Sequence, residues 1–363
     1  MLNGLRVIEV AGLGPAPFCG LLMSDLGADV ILVDRRDVDP EAVGLGEASL
    51  VDRGKRSIAL DFKSADDIET LLRLVESADV LIEGFRPGVM ERLGVGPDEC
   101  MARNPALIYC RATGWGQTGP MAPRAGHDMN YIALSGALWY AGEPGSRPTT
   151  PPSLVGDIGG GLYLAVGMLA AVMRARQTGT GCVVDGAIFD ANAHMMSLLM
   201  ALRQRGNMDI SRGTSMLDGS HWSRTYVCAD GGYMSVQCFE PKFYRTFLER
   251  LGLASDAFFR SQFEPSAWAD QSRRLEEVFV TRTRDAWCEI FDGADACVAP
   301  VLNPEEAAAH PHNAARQAYV TLDGVLQGAP TPRFSGAPPW KPRPSPKRGQ
   351  HQAEILASLD AVK

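Results

Sequence analysis

The sequence predicts an α/β fold built on a parallel sheet. Three observations carry that reading. The chain opens with strand, turn, helix and strand, a right-handed βαβ unit. Helix–strand alternation then recurs as far as residue 111. A length of 363 residues and a mass of 39.1 kDa allow a large core and two domains.

The elements follow in order. Leu5 to Val10 (L-R-V-I-E-V) is a strand, and A-G-L-G-P-A-P turns into a helix from about Phe18 to Leu26. Gly27 stops that helix, and A-D-V-I-L-V-D is the next strand. Gly12 and Gly14 in the first turn, with Asp34 after the second strand, imitate a dinucleotide fingerprint. The third glycine is missing and Pro15 and Pro17 occupy the loop, so NAD is excluded. Arg53, Lys55, Arg56 and Lys63 then crowd a short stretch, with Ile58 to Phe62 alternating as a strand. Such cations near strand ends suit phosphates, although a charge run is more commonly a solvated face. A helix over Ala65 to Ser77, the strand A-D-V-L-I-E-G, a short helix carrying Arg92, and the strand Leu107 to Arg111 come next. The loop A-T-G-W-G-Q-T-G-P lacks the Lys-Ser/Thr pair of a P-loop, but its Trp115 and amides suit a pocket wall. Downstream, a long helix runs from about Ala187 to Gly206, and a hairpin turns through Asp230-Gly231-Gly232. Helices are expected near Lys242–Leu251, Ser272–Val280 and Arg284–Phe291, and a strand at C-V-A-P-V. An extended proline-rich run from Pro330 to Pro346 and a terminal helix from Gln352 to Leu359 complete the chain.

Composition narrows the function. A net charge of −8 argues against a nucleic-acid partner, so any anionic ligand must meet a local basic cluster. The longest apolar run, Gly159 to Val172, is broken by glycines and reads as a buried helix, which argues against membrane insertion. The opening residues carry no signal-peptide pattern, D-A-V-K is no peroxisomal address, and eight cysteines show no framework spacing. The expectation is a cytoplasmic protein with reduced thiols and no metal.

The stretch from Ala125 to Gly161 carries the chemistry. His127 follows Gly126 and precedes the apolar series Met129, Ile132, Leu134; Asp157 follows Gly156 and precedes Ile158, Leu162 and Val166. Each therefore stands where a helix begins, and two proton-active groups at two helix mouths suggest acid–base chemistry on one small carbon centre. Alone, Asp157 is an ordinary N-cap and His127 an ordinary structural histidine. The three glycines after Asp157 favour a site, because each costs a helix up to ~1 kcal/mol and together they leave the backbone open to a ligand.

Seven motifs in order resemble the class III CoA-transferase superfamily (CaiB/BaiF type), and within it the α-methylacyl-CoA racemase branch. They are L-x-G-x-x-V-I-E-V, S-D-L-G-A-D-V-I-L-V-D-R, D-V-L-I-E-G-F-R-P-G-V-M-E-R-L-G, T-G-W-G-Q-T-G-P, A-G-H-D-M-N-Y, L-V-G-D-I-G-G-G and G-Q-H-Q-A-E-I-L. The resemblance implies a Rossmann-like large domain (1–186 and 330–363), a linker helix region (187–225), a small α/β domain (226–310) and a return linker (311–329), in an interlocked homodimer. It implies an acyl-CoA thioester substrate and no separate cofactor, CoA being part of the substrate. His127 and Asp157 would be the two bases and Glu240 the carboxylate behind the histidine. CoA contacts carried over by motif are Arg35, Leu60, Asp61, Phe62, Lys63, Gly84, Phe85, Arg86, Arg92, Gly126, Asp128, Met129, Asn130 and Tyr131. The implied activity is epimerisation at C2 of 2-methyl-branched acyl-CoA through an enolate, with amides after Asp157 holding the enolate oxygen. Two alternatives stay open: CoA transfer to a carboxylic acid with Asp157 as nucleophile, and non-catalytic acyl-CoA binding. A-N-A-H-M-M-S-L-L-M-A-L at 191–202 suits variable acyl chains, although packed helix explains it as well.

Overall fold

A computed structural model describes residues 1–37, 49–336 and 343–360. Contacts divide the chain into two compact units, Met1–Leu138 with Pro151–Met195 and Gln317–Lys363, and Trp139–Thr150 with Met196–Arg316.

The first unit begins β1 (Arg6–Val10), α1 (Pro15–Asp25), β2 (Asp29–Arg35), β3 (Arg56–Leu60), α2 (Ala65–Glu76), β4 (Val80–Glu83), α3 (Val89–Arg92), α4 (Pro97–Arg103) and β5 (Ile108–Thr113). It continues with α5 (Asp128–Leu134), α6 (Gly159–Thr178), β6 (Cys182–Ala187) and α7 (Ile188–Met195). Six strands form one sheet in the order β3-β2-β1-β4-β5-β6, every pair parallel. Its central strands are apolar at nearly every position because both faces are covered. Ile8, Leu81 and Tyr109 point into one core, with Leu71, Leu74 and Ile355; Val7, Val80, Ile82, Ile108 and Cys110 point into the other, with Cys19, Leu164 and Met168. Each such aliphatic side chain contributes roughly 1.5–3 kcal/mol on burial.

The second unit holds α8 (Ser197–Gln204), an antiparallel sheet of β7 (Ser223–Val227), β8 (Tyr233–Gln237) and β9 (Val298–Val301), and α9 (Pro241–Arg250), α10 (Pro265–Phe279), α11 (Arg284–Phe291), α12 (Pro304–Ala309) and α13 (Pro311–Ala315). The hairpin through Asp230-Gly231-Gly232 is present, with Cys228 N–H donating to the Gly232 carbonyl at 2.8 Å. Trp222, Tyr226, Phe247, Phe279 and Trp287 dominate its core. The chain ends in the first unit with the hairpin β10 (Tyr319–Leu322) and β11 (Val325–Gly328), and α14 (Gln352–Asp360). Of the proline-rich run, residues 337–342 lie outside the described residues.

Several local expectations change. α1 starts at Pro15, three residues early, because proline is pre-set for the first helical turn. The single helix expected over 187–206 is two, α7 and α8, separated at Met196. Helix α6 with its preceding turn, Leu154–Thr178, is long and apolar enough to cross a membrane by length and composition, with mean hydropathy 1.6; half of its most apolar stretch is buried.

Candidate active site

In an open parallel sheet, loops at the carboxyl ends of the strands diverge where the strand order reverses, and the gap takes the ligand. Here the reversal lies between β1 and β4. A cavity of about 400 Å³ opens there, lined by Gly12–Pro15 after β1, Gly84–Pro87 after β4 and Ala112–Trp115 at the end of β5 and just beyond it. Ala122, Arg124, Ala125, Gly126, His127, Tyr131, Asp157 and Ile188 complete its wall. The two proton-active residues therefore face one space, while Glu240 belongs to the second unit, as N-cap of α9.

His127 is the N-cap of α5, in extended backbone, with its N–H donating to Asn130 Oδ1 at 3.1 Å. Its side chain is exposed. Tyr131, one turn on, donates its hydroxyl to the Gly126 carbonyl and sets its ring edge-on to Trp115 at 4.7 Å between centroids. These contacts fix the glycine before the histidine.

Asp157 does not cap a helix as expected. It sits inside a π-helical turn, Leu154–Ile158, that runs directly into α6. Its backbone N–H is taken by Asp128 Oδ1 at 2.9 Å. Its carboxyl carbon lies against Gly14, where an added β-carbon would stand 3.4 Å away. Gly14 has φ +74°, a conformation L side chains rarely adopt, so the β1–α1 loop reaches the aspartate only with glycine there. Burial raises the Asp157 pKa above its ordinary value, the neighbouring Asp128 charge raises it further, and a Ser153 hydrogen bond and His127 oppose the shift.

The glycines at 159–161 correct another expectation. They are buried, and side chains there would collide with Met195, Ile188 and the Pro15 carbonyl. They let α6 pack closely against those neighbours, where the sequence suggested a backbone open to a ligand.

The basic residues separate into two groups. Arg53 pairs with Asp25 at 2.6 Å, and Lys55, fully buried, pairs with Glu9 at 2.7 Å and Asp52 at 3.0 Å. Arg56 pairs with Asp29 at 2.7 Å and Glu354 at 3.0 Å. These three hold the fold together, which corrects the expectation that they serve a phosphate. Arg35, at the carboxyl end of β2, Lys63, beyond β3, and Arg86 and Arg92, beyond β4, are exposed, and among the described residues no carboxylate pairs with them. Each lies at or beyond the carboxyl end of a strand, and Arg86 lines the cavity.

The remaining motif positions take different places. Gly84, Phe85, Arg86, Gly126 and Tyr131 line the cavity. Leu60 is buried in the core, with Phe62 packed beside it. Asp61 accepts the Lys63 N–H at 2.9 Å, Met129 is exposed, and Asn130 and Asp128 bond within the fold as described. Among the described residues no three His, Cys, Asp or Glu side chains gather into a metal site. Trp115 lines the cavity as its loop suggested, and Gly14 and Ile188, which the sequence reading did not place in the site, line it too; position in the loop after a strand was the signal for Gly14.

With this geometry in view, the model for CoA-transferase family III matches residues 2–352. The chain belongs to CoA-transferase family III. Within the family it is 40% identical to the α-methylacyl-CoA racemase of Mus musculus, over 98% of this chain and 92% of the relative. It is likewise 40% identical to that of Homo sapiens, with the same coverage. A solved CaiB/BaiF family protein from Brucella suis superposes with a TM-score of 0.84 at 30% identity, covering 99% of each chain.

Proposed function

We propose that this family III member is an α-methylacyl-CoA racemase, an isomerase that inverts C2 of 2-methyl-branched acyl-CoA thioesters. The observation that carries the reading is the opening of His127 and Asp157 into one cavity at the reversal of strand order. A thioester makes its α C–H acidic because the enolate delocalises onto the carbonyl oxygen. Inversion then needs one group that removes a proton from one face and another that returns one to the opposite face. With His127 neutral and Asp157 protonated, the imidazole takes the proton and the carboxyl group supplies one; the other epimer uses the reverse states. Burial that raises the Asp157 pKa supports a protonated carboxyl in one half of the cycle. Glu240, in the role its motif implies, orients the imidazole.

The unpaired cations Arg35, Lys63, Arg86 and Arg92 support binding of the phosphates of CoA, with guanidinium groups suited to bidentate contacts. CoA enters as part of the substrate, and the chemistry needs no further cofactor. The exposed apolar side chains Leu162, Val166 and Met173 of α6 support a homodimer that covers them. Eight free thiols support a reducing, cytoplasmic location.

Incubation of a single epimer of a 2-methylacyl-CoA in deuterated water tests the reading. Deuterium at C2 with no acceptor acid present is the expected result. A requirement for an acceptor, with an acyl enzyme trapped by hydroxylamine, would instead assign CoA transfer through Asp157.

A further inference from the structure

The cavity loop that follows β4 is held from below by buried charge. Glu83, the last residue of β4, is fully buried, and its Oε2 accepts the N–H of Phe85 at 2.7 Å. Its Oε1 accepts from Arg111 Nε at 3.0 Å, directly across on β5. The Arg111 guanidinium continues to Glu91 of α3 at 2.8 and 3.3 Å. One network therefore ties two strands, the loop Gly84–Gly88 and the short helix that ends in Arg92. Phe85 and Arg86 of that loop line the cavity.

We propose that Glu83 and Arg111 are positioning residues that hold the Gly84–Gly88 loop in the form that receives the CoA part of the substrate, and that a proton on Glu83 releases it. This rests on the acyl-CoA reading given above. Each carboxylate oxygen already accepts from one donor, and an added proton removes the negative charge that strengthens both bonds and turns one oxygen into a donor, so the hold on the Phe85 N–H and on Arg111 weakens. The charged and titratable groups around Glu83 are Arg111 and Tyr109 on β5 and Glu91 on α3. Burial, the largest influence, raises the Glu83 pKa to about 7; the Phe85 N–H and Arg111 oppose the rise, and Glu91 adds to it. Tyr109 donates its hydroxyl to the Val95 carbonyl and remains protonated throughout. The proton thus arrives near neutral pH, where the loop loses its anchor as pH falls.

The test follows the Phe85 amide resonance in protein labelled with 15N-phenylalanine, together with the affinity for free coenzyme A, from pH 5.5 to 8.5 (values set about the ~1-unit spread of protein pKa values). In the wild type the resonance moves with a midpoint near 7 and CoA binds more weakly on the acid side. In Glu83→Gln the Phe85 resonance no longer shows that midpoint, and the CoA affinity keeps only the pH dependence of the ligand's own phosphate, with a second pKa of about 6. Glu91→Gln, a change at an exposed side chain that leaves the fold intact, moves both midpoints to lower pH, because it removes the charge that raises Glu83. A Phe85 resonance that titrates while CoA affinity shows only the pH dependence seen in Glu83→Gln overturns the loop inference and leaves the acyl-CoA reading standing. A Phe85 resonance that does not titrate overturns it as well. Failure of CoA to bind at any pH overturns both.

Discussion

Asp128, the first residue of the helix capped by His127, accepts the backbone N–H of Asp157 at 2.9 Å. One candidate base is thus anchored by the immediate neighbour of the other, through a contact that spans 29 positions of sequence. The same carboxylate raises the Asp157 pKa, second only to burial. One side chain therefore both anchors the Asp157 backbone and raises the proton affinity of its carboxyl group.

Asp128→Asn keeps an acceptor oxygen and removes the charge. The acid limb of the racemisation profile should move to lower pH, with turnover near neutrality reduced by about tenfold or less, since one pKa unit corresponds to ~1.4 kcal/mol. Asp128→Ala also strands the Asp157 N–H, at a cost of roughly 1–3 kcal/mol in unfolding free energy, and should be the slower variant. Rate–pH profiles and urea unfolding of both variants read this out.

Gly156 leaves room for that contact. An added β-carbon would lie 2.2 Å from Asp128 Oδ1 and 3.1 Å from Ile132. Gly156→Ala should therefore lose about 1–3 kcal/mol of stability, the usual range for overpacking. Its turnover should fall more than its affinity for CoA, because Arg86 and the other unpaired cations are untouched. Denaturation midpoints and KM against kcat separate the two effects.

Asp157 is expected to trade stability for function. Below the ordinary carboxylate range the side chain is protonated both folded and unfolded, and its contribution to stability is complete. As pH rises from there through the raised folded value, the buried carboxylate is penalised and stability is lost. Asp157→Asn never ionises and escapes that loss. The variant should be inactive yet more stable than the wild type at neutral pH, with the difference vanishing in acid. Thermal unfolding of both proteins across that range checks the sign.

Much of this was legible in the chain itself. Alternating apolar runs, Gly27 as a helix stop and the absence of a third glycine in the first turn led to a parallel sheet without a dinucleotide site. The order of motifs led to His127 and Asp157. What failed depended on partners distant in sequence. Lys55 looked like a phosphate ligand because Glu9 stands 46 positions away, and no local pattern announces that it accepts the Nζ proton. The π-helical turn that carries Asp157 was not legible either, and the bond from its N–H to Asp128 spans 29 positions of sequence. Nothing at Met196 marks the break between α7 and α8, since neither proline nor glycine stands there.

The reassignment of Lys55 has its own test. Lys55→Met leaves Glu9 buried without its partner and should cost about 3–5 kcal/mol of stability. CoA affinity of the folded fraction should not change. Urea unfolding and CoA titration of the variant, carried out under conditions where it remains folded, distinguish a structural cation from a ligand-binding one.

The most direct measurement takes each pure epimer of a 2-methylacyl-CoA with His127→Ala and with Asp157→Ala and follows inversion at C2. The two-base account predicts that each variant loses inversion by at least about 10²-fold, the low end of general acid–base contributions, while free CoA still binds. Turnover at the wild-type rate in either variant would contradict it.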